Sequence, residues 1–268
     1  LIQRAQTMQV DVLAITDHDS TYGLSDAHAA AKAHYPGLRI IDGVEISTRW
    51  HSFEIHIVGL NIDTGHPALQ AFLADQQQKR EERAAKIADK LAKCGFAGTL
   101  ERARRYAGVG QITRAHFARV LVDSFQVATL EKAFKLYLGK GKRAAVKAEW
   151  PDIAAAVKVI QQAGGRAVLA HPIHYDMTTK WLRRLIAEFA EAGGDAAEVV
   201  FPGMSAEKQA LLQSIVAEYD LLASAGSDFH FPGRWTELGR CQLKTDALTP
   251  VWHDWHLAVS QSSLKDPV

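Results

Sequence analysis

The chain has 268 residues, 47% of them hydrophobic and 23% charged, with a formal net charge of +1 at pH 7. This is ordinary globular composition, enough for one barrel with a modest insertion, and it lacks the polybasic field of a duplex-binding protein, so duplex DNA is not an expected partner. No apolar run approaches the ~20 residues of a membrane span, no secretory signal is visible, and two cysteines, Cys94 and Cys241, make neither a disulfide framework nor a cysteine zinc site; the expectation is a cytoplasmic protein with no membrane partner.

Residues 1–8 read as the end of an amphipathic helix without a capping residue, and the chain opens on Leu1. The expectation is a fragment of a longer natural protein. Residues 10–15 form an apolar strand leading into Thr16-Asp17-His18-Asp19, and 23–34 an Ala-rich helix stopped by Pro36-Gly37. Strands are expected over 39–47 and 53–62. One long charged helix follows over 69–94, closed by Gly95. Two more helices begin after Thr113 and Thr129, and end near Val122 and Leu138. The stretch 67–149 carries no strand-like alternation and reads as a helical insertion domain between 1–66 and 150–268. Strand–helix units then resume: helix 152–163, strand 166–170, helix 179–192, strand 197–200, helix 205–219 and strand 221–224. Units of this size imply a parallel α/β sheet, and right-handed crossovers let it curl into a barrel.

Four apolar runs end in metal-binding residue types. In a parallel barrel the carboxyl ends of the strands converge on one face, which would gather His18, Glu45, His56, His171, Asp228 and His230. Taken singly, each has a plain alternative. His18 could be a turn residue, with Thr16, Asp17 and Asp19 as capping partners, and His171 a satisfied core histidine. Glu45 is sharper, because a carboxylate inside the apolar run 40–46 needs a metal or a buried Arg. His56 shares a strand face with Glu54, and the more buried His56 is the expected ligand. Asp228 and His230 share a face at spacing two, as a chelating pair would. Imidazoles mixed with carboxylates suit Mn, Zn or Fe, which points to a multinuclear metal hydrolase.

Ile15-Thr-Asp-His-Asp19, Gly43-Val-Glu-Ile-Ser47, Ile55-His-Ile-Val-Gly59, Ala170-His-Pro172 and Gly226-Ser-Asp-Phe-His230 resemble, in order, the motifs of the PHP (polymerase and histidinol phosphatase) superfamily. Within it the chain is most similar to bacterial nucleoside 3′,5′-bisphosphate phosphatases, including those described as 5′-to-3′ exoribonucleases on short RNA. The segment Ile112-Thr-Arg-Ala-His-Phe-Ala-Arg119 is similar to theirs. The resemblance implies a distorted (β/α)7 barrel of the PHP type with a helical insertion, holding up to three ions in the complete protein. Mn²⁺ is expected, with Zn²⁺ or Fe²⁺ as alternatives. By motif, Glu45 bridges two metals, Asp228 joins it on the first, His18 and His230 serve the second, and His56 and His171 the third. Glu45, Asp228 and His230 are the catalytic set. A metal-activated hydroxide would attack phosphorus, and the metals would take up charge on the phosphoryl oxygens.

Two departures stand out. The family's opening strand, with its His-x-His pair and following Asp, has no counterpart in this sequence. Where relatives carry Gly-Arg after the His-Pro pair, this chain has Ile173-His174, so His174 is the expected, weaker phosphate contact. Arg114, His116 and Arg119 are expected to contact substrate phosphate from the insertion, with a solvated helix face as the alternative. Arg80, Arg83 and Lys86 read as surface charges paired with Glu81 and Glu82. The expected substrate is a small nucleotide or short single-stranded RNA. The competing functions are an amidohydrolase-type C–N hydrolase and a catalytically decayed PHP barrel acting as a binding module.

Overall fold

The computed structural model describes residues 1–108, 110–230, 232, 237–243 and 248–255. It is a mixed α/β fold that divides into two compact units. The first comprises residues 1–17, 21–69 and 151–268, and the second residues 18–20 and 70–150.

The first unit is built on a curled six-stranded sheet, a half-barrel, in the order β1 (Val12–Ile15), β2 (Arg39–Trp50), β3 (Phe53–Leu60), β4 (Arg166–Leu169), β5 (Ala196–Val200) and β6 (Leu222–Ala225). Strands β1 and β2 are parallel, as are β4, β5 and β6, but β3 runs antiparallel to both β2 and β4. A wholly parallel sheet, as the sequence reading has it, is therefore corrected. Strand β2 extends to Trp50, leaving two residues, His51 and Ser52, before β3. A link that short can join only antiparallel neighbours.

The register fixes what each face carries. Glu45 pairs with Val58, Ser47 with His56, Val168 with Ala196, and Glu198 with Ser224. With a side-chain period of two, Glu45, His56, Val58, Val168, Ala196 and Glu198 lie on one face. Val58, Leu60, Val168, Ala170 and Ala196 pack there with Val251. The opposite face presents Val44, Ile46, Ile55, Ile57 and Leu169, all fully buried. Helix α7 (Ile153–Gln162) packs against β2, β3 and β4, and α9 (Ala206–Glu218) against β5 and β6. A Cβ at Gly59 would meet Ile160 Cγ1 at 3.0 Å, which is how closely α7 lies on β3. Helices α1 (Ile2–Thr7) and α2 (Gly23–His34) close a second cluster with Ile15, Leu38 and Leu238. Between α7 and α9 in sequence, α8 (Thr179–Glu191) buries Leu182, Leu185, Ile186 and Phe189.

The second unit is helical: α3 (Pro67–Lys93, which begins in the first unit), α4 (Thr99–Ala107), α5 (Arg114–Asp123) and α6 (Leu130–Ala133), the last running into one π-helical turn, Phe134–Leu138. Thr129 caps α6 by accepting from the Lys132 N–H at 3.2 Å. The core comprises Ala84, Ile87, Leu91, Phe117, Leu121 and Leu138. Helix α4 has no counterpart among the elements expected from the sequence. Its apolar positions Leu100, Ala103 and Ala107 are helically spaced, but Glu101 and three arginines crowd the interval.

Arg80 is a correction. It is buried, not a surface charge, and its Nε donates to Asp19 Oδ2 at 2.8 Å while Nη2 donates to the same oxygen. Arg83 donates to the Val146 carbonyl, and both guanidinium groups lie over the Trp150 ring. Glu81 pairs instead with Arg104, and Glu82 with Gln78.

Candidate metal centre

Glu45 is the focus of the site. Its side chain is 8% exposed, and Oε1 sits 2.8 Å from His56 Nδ1 and 3.1 Å from His171 Nε2. The hairpin register explains the first contact: Glu45 and His56 are diagonal neighbours on one face of an antiparallel pair. The second contact needs a break in the strand pattern. His171 lies one residue beyond Ala170, whose N–H bonds the His56 carbonyl, so regular alternation would aim His171 at the other face. Its φ of +31° lies in the left-handed region, and that turn brings the ring back to Glu45. Asp228 is also left-handed, at φ +46°. Non-glycine residues held this way mark sites where the surrounding structure dictates the backbone.

His18 follows β1 in the chain. Asp228 and His230 are placed differently. They pair with each other, His230 Nδ1 lying 3.0 Å from the Asp228 carbonyl and 3.5 Å from its Oδ1, and both are largely exposed. His174 follows His171 and stacks on it, with centroids 5.8 Å apart, and packs on Phe201.

Electrostatics tie the group together. Burial opposes charge on His171, but the hydrogen bond and charge of Glu45, with the charges of Glu198 and Asp228, outweigh it and raise the His171 pKa. For His174, burial and the charge of His171 lower the pKa. Burial raises the Asp17 carboxyl, against the pull of His230.

Two residues absent from the sequence reading belong to this site. Tyr175 accepts the His56 N–H at 2.8 Å through its hydroxyl, and burial pushes that hydroxyl well above the usual tyrosine range. Glu198 accepts the His171 N–H at 2.7 Å; burial raises its carboxyl to about 7. Glu198 carries the signal that marks Glu45, a carboxylate in an apolar strand, whereas nothing in the sequence around Tyr175 points to it.

In the second unit, His116 Nδ1 accepts the Thr113 N–H at 3.1 Å, so the ring caps α5. Burial, then the charge of Arg119, lowers its pKa. Arg119 lies 3.8 Å from Asp123 and stacks over Tyr106. Arg114 opens the helix.

The donor set fits a divalent transition metal. Two imidazole nitrogens converge on one carboxylate oxygen, and the buried His171 Nδ1 has no hydrogen-bond partner among the described residues.

No family model matches the chain. It is 47% identical over 252 residues to a 5′-3′ exoribonuclease of Haemophilus influenzae, spanning 94% of this chain and 91% of that protein. It is 39% identical over 256 residues to a 3′,5′-nucleoside bisphosphate phosphatase of Chromobacterium violaceum, spanning 95% and 89%. Among solved structures, an amidohydrolase from Chromobacterium violaceum with bound sulfate and no metal superposes with a TM-score of 0.85 at 39% identity, covering 94% of this chain and 87% of that one. Ordered motifs, fold and identity over almost the full length agree, and the chain belongs to the PHP-type family of these 5′-3′ exoribonucleases and nucleoside bisphosphate phosphatases.

Proposed function

We propose that the chain is a metal-dependent phosphoesterase that releases phosphate from nucleoside 3′,5′-bisphosphates and nucleotides from the 5′ end of short RNA. Its relatives are named for these two activities. The single observation that carries the reading is the convergence of His56 and His171 on one oxygen of the buried Glu45. Two rings presented to a desolvated carboxylate make a cation site, and a cation is what a phosphate ester needs to have its charge neutralised.

In this reading 1–66 and 150–268 form the (β/α)7 barrel and 67–149 the insertion. Glu45 and His56, from within β2 and β3, with His171 beyond β4 and His18 after β1, hold metal, and Asp228 and His230 complete the set. Mn²⁺ is the proposed ion, with Zn²⁺ or Fe²⁺ as alternatives. When bound, the metals supply an activated water and take up charge on the phosphoryl oxygens. The chain's own residues do the rest. Glu45 offsets the metal charge and orients two rings. In the neutral His116 ring, Nδ1 accepts from Thr113, so Nε2 carries the proton and is the nitrogen left to donate to an anion. Arg114 supplies permanent positive charge in the first turn of α5. Arg119 would have to leave Asp123 and Tyr106 to reach a phosphate. His174, neutral by its lowered pKa, offers one hydrogen bond and no fixed charge.

The test uses the Mn-loaded full chain, adenosine 3′,5′-bisphosphate and a 5′-phosphorylated pentaribonucleotide. Wild type releases phosphate from the first and mononucleotides from the second. Glu45→Gln and His171→Ala each lower kcat by at least a hundredfold, on the order of what one lost charge-stabilising contact costs. Full activity in either variant would sink the reading.

A further inference from the structure

We infer that Glu198 is a positioning residue, which fixes the main chain of His171 at the end of β4 and is the reason residue 226 at the end of β6 is a glycine. The inference rests on the reading of His171 as a metal ligand and extends it to the strand between.

Glu198 stands on β5, hydrogen-bonded on one side to β4 and on the other to β6. Its register places it on the face that carries Glu45 and His56. One carboxylate oxygen, Oε2, accepts the His171 N–H at 2.7 Å. That N–H belongs to a residue at φ +31°, in a region that residues with a side chain adopt uncommonly. The bond therefore holds the turn that aims the His171 ring at Glu45. Ligand histidines are commonly oriented through their second ring nitrogen. Here the His171 Nδ1 has no partner among the described residues, and the fixing contact runs to the main chain instead.

The other oxygen, Oε1, reaches β6. A Cβ built on Gly226 would stand 2.0 Å from Oε1, 2.7 Å from Cδ and 3.2 Å from Oε2. All three of its nearest neighbours belong to Glu198, and Gly226 has no left-handed φ that would call for glycine. The space, not the backbone, demands it. Gly226 also leads, two residues on, to Asp228, so one carboxylate braces two strand ends that carry proposed ligands.

Any side chain at 226 must displace Glu198, and this gives a test by double substitution. Mn²⁺ binding to the full chain is followed by calorimetric titration, with circular dichroism melts alongside. The binding event lost in His171→Ala defines the site. At that event Glu198→Ala weakens Mn²⁺ by tenfold to a hundredfold, the usual cost of losing an outer partner of a ligand. Glu198→Gln, which keeps an acceptor oxygen, stays within about threefold of wild type. Gly226→Ala alone reproduces Glu198→Ala, yet in the Glu198→Ala background it adds nothing, because the group it displaces is gone. Equal damage from Gly226→Ala in both backgrounds would overturn the inference, as would wild-type Mn²⁺ affinity in a folded Glu198→Ala protein. Should Glu198→Ala fail to fold, Gly226→Ala alone decides: wild-type affinity overturns the role. The two readings fail separately. Unchanged Mn²⁺ binding in His171→Ala sinks the ligand reading, whereas an event lost in His171→Ala but intact in Glu198→Ala sinks only the positioning role.

Discussion

The ion pair between Asp19 and Arg80 is a stability determinant whose size can be worked out. The Arg80 side chain is 9% exposed and that of Asp19 0%. Both guanidinium contacts land on Asp19 Oδ2, and Gln76 Nε2 donates to Oδ1 at 3.1 Å, so the carboxylate is satisfied on both oxygens. Removing one partner of a buried pair strands the other charge and costs about 3–5 kcal/mol, against about 0–1 kcal/mol for an exposed pair. Arg80 keeps the Trp150 ring, at 5.0 Å, and Asp19 keeps Gln76, so the low end applies. Asp19→Ala and Arg80→Leu should each cost about 3 kcal/mol, lowering the melting temperature by roughly 6–12 °C. Replacing both leaves no stranded charge, so the double variant should lose far less than the sum. Calorimetry and urea titration followed by far-ultraviolet circular dichroism measure all three. Single losses under about 1 kcal/mol, or strict additivity, would show that the pair behaves as a surface bridge and refute the argument.

Two more predictions test the packing around the site. Burial, with the charge of Glu198, pushes the Cys241 thiol up to about 12, so at pH 8 only ~10⁻⁴ of it is thiolate; iodoacetamide should miss Cys241 in the native protein and label it in urea, and equal native labelling would contradict this. A Cβ at Gly43 would stand 2.7 Å from Thr16 Cγ2 and 2.8 Å from the Gly59 carbonyl oxygen, and backbone cannot yield cheaply, so Gly43→Ala should cost about 2 kcal/mol and lower the melting temperature by roughly 4–8 °C. An unchanged melt would mean that β2 and β3 separate more easily than their register implies.

The parts of the site legible in the sequence are those whose residue type conflicts with its surroundings. Glu45 stands out because a carboxylate in a buried strand must be compensated, and Glu198 obeys the same rule within Ala196–Val200. No histidine or aspartate motif follows its strand to point to it. The aim of His171 was not legible, since it depends on one left-handed residue and on an acceptor from another strand. The hairpin was hidden because Thr48 and Arg49 look like the polar end of β2, yet Thr48 is buried and its hydroxyl bonds the Ile55 carbonyl. Arg80 carries the most general lesson. The buried positions of α3 run Leu69, Leu73, Gln76, Arg80, Ala84, Ile87 and Leu91, steps of three and four that trace one helical face. Counting charges along that helix gives a solvated surface. Counting period shows two polar residues, one turn apart, inside an apolar stripe, and such residues require a buried partner. That partner is Asp19, the residue after His18, so the helix whose charges looked most superficial holds the turn that carries a proposed metal ligand.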